Sequence, residues 1–426
     1  MSWLPEITPL GQLLGGTPCN RWRRATLNRR GSDFGLRGPH RQPERNRGDI
    51  VSKASWLPLA ALFLGSTPAQ AQEAPGPNNR AEAIKIIAGL RRIVAPEGLE
   101  RTEKLRIGGI DQWVSVRSRD PRNPVLLVLH GGPGWVAMPT SWYVAHGWDE
   151  FFTVIQWDQR GAGKTYVAND PTTVAPTLTV EQMHADAEEV VTWARKTFRK
   201  EKLFVLGHSW GSILGLTLAE RHPEWLHAYI GVAQGIDARE SERRGWAWTL
   251  KQARATKNEE AIRDLESIAP YAIGKTPVPL KDIQLQRRWL NFFGGAAYRR
   301  PDASFEGAAV NLSPEYTDEE VRQVWKAGDL SAESLLSPIL TTDLTQVKRL
   351  KTPLLLFLGR HDYNVSATVA AEWFASVKAP SKQLVWFEQS AHELMAEEPG
   401  KMLLSLVRHA RPLAERAGDV ASASPP

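Results

Sequence analysis

The strongest constraint on this chain is a series of short, unbroken apolar runs separated by amphipathic stretches. Pro124–Leu129 reads PVLLVL, and Phe152–Trp157, Leu203–Leu206, Ala228–Val232, Leu354–Leu358 and Leu384–Phe387 are similar. A strand that is apolar at every position is buried on both faces, which is the condition of a parallel sheet covered by helices on either side. The intervening segments supply those helices. In residues 179–198 the apolar positions Val180, Met183, Ala187, Val190, Val191 and Ala194 recur with a helical period. Gly211–Arg221 and Pro399–Ala410 read similarly. The alternation predicts an α/β fold with a mostly parallel central sheet flanked by helices. Ahead of it, residues 81–92 predict a short helix, and Lys104–Ile110 and Gln112–Arg117 predict two strands meeting near Gly108–Gly109.

One stretch breaks the alternation. Between about Asp237 and Leu344 there are charged helical patterns and no convincing strand, with Trp246, Trp248, Trp289 and Trp325 scattered among them. An insertion between two strands of a parallel sheet is placed to cover the edge where such sheets bind ligands. The expected organisation is a core formed by residues 72–236 and 345–426, a helical cap of residues 237–344 with a tryptophan-lined apolar wall, and a disordered leader in residues 1–71.

The sharpest chemical signal is Gly207-His208-Ser209-Trp210-Gly211, between a predicted strand and a predicted helix. In that context G-x-S-x-G forms a nucleophile elbow: a tight turn presents the hydroxyl, and small residues two positions away let neighbouring elements close in. A serine nucleophile needs a base, and the base needs an orienting carboxylate. Downstream, Leu354–Leu358 runs into Gly359-Arg360-His361-Asp362, and Leu384–Phe387 runs into a loop ending at His392. Both loops leave strands at the edge that carries the elbow, so Asp362 is the expected orienter and His392 the expected base. His208 and His361 adjoin these residues but are expected to point elsewhere. The glycines of His130-Gly131-Gly132-Pro133-Gly134 let the backbone approach the nucleophile. The amides of Gly132 and Trp210 are the expected oxyanion hole.

Other chemistries are excluded. Gly163-Lys164-Thr165 invites a phosphate-loop reading, but the glycine required five residues before Gly163 is Asp158, so this segment is a structural loop. No histidine pair has metal-ligand spacing with carboxylates at hand, and the single cysteine, Cys19, rules out a disulfide framework or a Cys-based cluster, so neither metal nor cofactor is expected.

Taken in order, HGGPG, WDQRGAGKT, GHSWGS, GRHDYNVS and SAHELMAEEP resemble the proline iminopeptidase branch of the α/β-hydrolase superfamily. The resemblance implies an α/β-hydrolase fold and a triad of Ser209, Asp362 and His392. It also implies release of N-terminal residues, often proline, from short peptides. In that family a carboxylate from the cap holds the substrate's free ammonium, and Glu240 and Glu242 are the candidate counterparts. An esterase, amidase or lactonase with the same triad remains an open alternative.

Charge then sets expectations about location. The chain has 53 Lys+Arg against 47 Asp+Glu. Residues 1–50 hold nine Arg and no Lys against four acidic residues. After them come Lys53, the short apolar run Trp56–Leu64 and Ala69-Gln70-Ala71, the pattern of a signal peptide with a small-residue cleavage site. Translation from near Val51 and export to the periplasm or beyond are therefore expected. No apolar run reaches the ~18–20 residues of a spanning helix, so no stable membrane anchor is expected. The 355 residues after Ala71 carry 43 basic and 43 acidic side chains. The excess charge belongs to the leader, and a nucleic-acid partner is not expected.

Overall fold

The computed structural model describes residues 76–274, 277–302 and 304–420. The leader of residues 1–71, with its expected signal peptide, lies outside the described residues. Eight strands form one sheet: β1 Leu99–Ile107, β2 Ile110–Ser118, β3 Val125–Leu129, β4 Thr153–Asp158, β5 Leu203–His208, β6 Leu226–Val232, β7 Leu354–Gly359 and β8 Lys382–Phe387. Their spatial order is β1-β2-β4-β3-β5-β6-β7-β8. The pairs β1/β2 and β2/β4 are antiparallel and the others parallel.

The expected double-sided burial is present. Every residue of β3 to β7 is buried. Along β3, Val125, Leu127 and Leu129 face one core layer, and Leu126 and Val128 face the other. Of the helices with seven or more residues, α1 spans Arg80–Arg91, α2 Val180–Phe198 and α3 Trp210–Arg221. Met183, Ala187, Val190, Val191 and Ala194 of α2 fill the first layer together with Ile213 and Leu214 of α3. Trp148, Phe152, Met402 and Leu406 fill the second. The first hairpin starts earlier than expected. Gly108 and Gly109 adopt φ of 52° and 78°, which makes a two-residue turn between paired Ile107 and Ile110.

Between β6 and β7 the described residues form five helices: α4 Ala238–Ala255, α5 Glu259–Ser267, α6 Leu280–Phe292, α7 Ser304–Asn311 and α8 Asp318–Ile339. Three of their starts follow from side-chain caps: Asp237 accepts from the Glu240 amide, Asn258 from that of Ala261, and Thr317 forms a reciprocal box with Glu320. The insertion leaves and rejoins the core through paired backbone, with Ala238 N donating to Thr342 O (3.0 Å) and Leu344 N to Ile236 O (2.8 Å).

Helix α8 is seated on the loop after β4. Ser331 Oγ donates to Gly161 O at 3.1 Å, and Lys164 Nζ meets Glu320 Oε2 at 2.6 Å. Below this pair, Asp158 is buried. Its Oδ2 takes the Lys164 amide at 2.8 Å and the Tyr316 hydroxyl, while Oδ1 has no partner among the described residues. Burial pushes the Asp158 carboxyl up to about 7. An acid whose folded pKa is raised stabilises the fold below its unfolded pKa, and that contribution is lost as pH rises through the folded value. For Asp158 the window runs from about pH 4 to about pH 7. Asp158→Asn is therefore expected to be more resistant to urea than the parent at pH 7.5. It is also expected to lose part of the parent's fall in stability across that window; identical pH profiles for the two proteins would refute this.

Candidate active site

The turn after β5 carries Ser209 at φ 53° and ψ −117°, a conformation that costs a non-glycine residue about 1–3 kcal/mol. The surroundings hold it there. Ser209 N donates to Val232 O at 3.0 Å. A Cβ on Gly207 would lie 2.3 Å from Gly211 O, and one on Gly211 would lie 2.1 Å from Leu129 O. Only glycine permits β3, β5 and α3 to approach this closely, so the pentapeptide's spacing is a packing requirement as much as a chemical one.

The loops after β7 and β8 bring Asp362 and His392 together. His392 Nδ1 lies 2.9 Å from Asp362 Oδ2. Asp362 Oδ1 accepts the amides of Asn364 and Val365, each at 2.9 Å, which fixes the carboxylate plane. A Cβ on Gly359 would meet Ala391 O at 1.9 Å, so the two loops touch at the end of β7. Ser209, Asp362 and His392 are all buried.

His208, expected to point elsewhere, instead reaches the backbone of His392. Its Nε2 lies 3.1 Å from His392 O. Burial, then the neighbouring His392, lowers the His208 pKa to about 3, so the neutral ring donates to that carbonyl. The segment read as a structural loop after β4 supports the site from the other side. Gln159 Nε2 donates to His130 O at 3.0 Å, and Trp210 Nε1 donates to Gln159 Oε1 at 3.1 Å. One glutamine thus ties the glycine loop to the residue after the serine.

A cavity of about 190 Å³ opens beside Ser209, with Gly132 and Trp210 also in its wall. The insertion supplies an aliphatic part of its wall, Leu280, Ile283, Leu336, Ile339 and Leu340, and a polar part that includes Glu242, Arg287 and Arg288. The expected tryptophan wall is not there. Trp246 Nε1 binds Leu265 O and Trp289 Nε1 binds Asp264, both within the insertion, while Trp325 packs on Trp135. An indole must satisfy its N–H when buried, and in these helices the partners lie away from the cavity.

The two candidate ammonium ligands separate. Glu240 is absent from this wall and pairs with Arg243 and Arg244. Glu242 lines the cavity, but Arg287 clamps both of its oxygens and Tyr271 donates to Oε2 at 2.7 Å. It offers no free negative charge.

A different carboxyl pair lies next to His392. Glu306 is buried and accepts from Trp135 Nε1 at 2.9 Å. It shares a hydrogen bond with Glu393. Burial, and for Glu393 also the charge of Glu306, push both carboxyls up, Glu393 far above the ordinary range. The sequence carried a signal for Glu306: it is the one charged residue of the otherwise apolar and neutral α7, SFEGAAVN.

A family model described as the alpha/beta hydrolase fold matches residues 124–399. The chain belongs to the α/β-hydrolase family. It is 30% identical over 316 residues to a Bacillus subtilis (strain 168) protein named "Probable aminopeptidase YbaC", covering 72% of this chain and 96% of that one. It is 26% identical over 309 residues to a proline iminopeptidase of Saccharolobus solfataricus, covering 70% and 88%. The fold is also that of the crystal structure of proline iminopeptidase from Mycobacterium smegmatis, with a TM-score of 0.54 and 18% identity over 74% of this chain and all of that one. The chain is thus a hydrolase-family member of proline iminopeptidase-like type.

The strain at Ser209 has a measurable consequence. Ser209→Gly removes the Cβ that makes this φ costly, so it is expected to unfold at higher denaturant concentration than the parent, by about 1 kcal/mol, while losing hydrolytic activity. A variant no more stable than the parent would show that the turn stores no such strain.

Proposed function

We propose that this protein is a serine hydrolase that releases N-terminal residues from short peptides. Ser209 attacks the carbonyl carbon, His392 takes the hydroxyl proton and returns it to the departing amine, and Asp362 holds the imidazole in the required tautomer. Water then attacks the acyl-enzyme with His392 again as base, which frees the N-terminal amino acid and restores Ser209. The amides of Gly132 and Trp210 stabilise the oxyanion, each contributing about 2.7–4 kcal/mol to lowering the barrier.

The observation that carries the peptide reading is the Glu306–Glu393 pair, which lies beside His392 and outside the wall of the cavity at Ser209. Two adjoining carboxyls cannot both ionise cheaply, so without substrate they share a proton. An incoming ammonium supplies the missing positive charge, displaces that proton and is fixed next to the catalytic base. A blocked or acylated N-terminus has no such charge, and a long chain entering from its middle brings none. The relatives named as aminopeptidases support the same reading. The Arg287-neutralised Glu242 favours the second reading, an esterase, amidase or lactonase, because the carboxylate in that cavity wall is already paired and offers an amine no free charge. Export is part of the proposal, and mature secreted protein is expected to begin near Gln72.

Fluorophosphonate labelling should disappear in Ser209→Ala; persistent labelling identifies another nucleophile. On aminoacyl arylamides, N-acetylation should reduce kcat/KM strongly. Glu306→Gln should raise KM for the free-amine substrate about 10- to 100-fold, the cost of losing a charged hydrogen bond, and leave the N-acetylated substrate unchanged. Equal turnover of free and acetylated substrates would favour the second reading.

A further inference from the structure

The residues on either side of Asp362 are both gripped by the insertion. The Tyr298 ring stacks on His361, with centroids 4.0 Å apart and planes inclined by 10°. The Trp248 ring of α4 stacks on Tyr363 at 4.2 Å and 10°. Backbone bonds follow the same pattern. Tyr363 N donates to Gly295 O at 3.0 Å, and His392 N donates to Ala296 O at 2.8 Å. Glu397 completes the arrangement by accepting from both Tyr298 N and Ala391 N, the latter at 2.8 Å. A Cβ on Gly245 of α4 would lie 2.5 Å from Tyr363 O, so the helix backbone is in direct contact with this loop.

One short segment, Gly295 to Tyr298, therefore bears on two loops that come from different strands. Neither loop is regular structure, and each leaves its strand just before the functional side chain. The amide of His392 has its acceptor in the insertion, not in the core. The Asp362 carboxylate is fixed by its own loop, and that loop is fixed by two rings that belong to the insertion.

We propose that the helical insertion is a positioning device for the Asp362–His392 pair, acting through the carbonyls of Gly295 and Ala296 and through Tyr298 and Trp248 stacked beside Asp362. The pair is aligned while the insertion is seated, and unseating it withdraws the acceptor of His392 N and both aromatic supports together. The insertion thereby makes chemistry conditional on its own closure, in addition to forming a cavity wall. Tyr298 and Trp248 are positioning residues: neither is in the wall of the cavity beside Ser209. The inference rests on the assignment of Ser209, Asp362 and His392 as a triad and is independent of the peptide substrate.

The test uses p-nitrophenyl acetate, a small neutral ester that needs neither the ammonium site nor the aliphatic wall. Trp248→Ala and Tyr298→Ala should each lower kcat about 10- to 100-fold, the usual effect of a small misplacement of reacting groups, with KM within about twofold of the parent. The acidic limb of the kcat/KM profile should move to lower pH, because an imidazole less well held against Asp362 is a weaker base. Trp248→Phe and Tyr298→Phe, which keep a ring to stack, should restore most of the rate and the limb. Should an alanine variant fail to fold, Tyr298→Leu and Trp248→Leu keep apolar bulk without a ring and are expected to behave as the alanine variants do. A change confined to KM, an unmoved acidic limb, or equal impairment of ring-retaining and ring-removing variants would overturn the proposal. Ester hydrolysis that survives Ser209→Ala would instead show that the triad assignment fails, and ester hydrolysis without arylamide hydrolysis would remove only the peptide reading.

Discussion

Everything in this molecule depends on one turn in which the backbone is held where a side chain is unwelcome. Ser209 sits at positive φ because β3, β5 and α3 converge on it, and they converge because positions 207 and 211 lack a Cβ. The closeness of Gly211 to Leu129 O also decides where the glycine loop after β3 emerges. One local distortion thus places Ser209 and the backbone of the glycine loop beside it, and the sheet bears the cost. The buried strands around it offer stability in excess of what the turn consumes, since each is packed on both faces and bonded on both sides.

Around that turn the polar groups are arranged as separate sets, satisfied from within apart from Asp158 Oδ1. Gln159 joins two loops of the core. His208 is kept neutral and donates to the backbone of His392. The Lys164–Glu320 pair and Asp158 seat α8 on the loop after β4. Removing any one member would leave a buried donor or acceptor without its partner, which costs more than the bond itself contributes. This explains how a site assembled from several loops and a helical insertion remains ordered with few regular elements of its own.

The core was largely legible from the amino-acid sequence, for a definite physical reason. Parallel strands are apolar at every position, so PVLLVL and LLLFL announce themselves without any knowledge of their neighbours. The turn at Ser209 is a local motif, and the loops that carry Asp362 and His392 are each located by the strand they follow. The insertion was legible only in outline, because amphipathic helices show which face is apolar and not which partner that face meets. The tryptophans illustrate this: Trp246 and Trp289 turn inward to find acceptors, and the cavity wall falls to Ile283, Leu336 and their neighbours. Glu240 is neutralised locally, by Arg243 and Arg244 one turn along the same helix, whereas the neutralisation of Glu242 by Arg287 is a tertiary event. Glu306 and Glu393 are 87 residues apart and become a pair only through the packing of α7 on the His392 loop.

The Glu242–Arg287 pair gives the cavity beside Ser209 a latent polarity. An ion pair in a cavity wall, with its two charges cancelling each other, behaves as neutral toward a ligand while remaining one substitution away from either sign. Loss of the arginine leaves a carboxylate facing the cavity, and loss of the glutamate leaves a guanidinium there. In evolutionary terms the cavity has a short path from an uncharged ligand to a cationic or an anionic one, without rebuilding Ser209, His392 or the sheet beneath them.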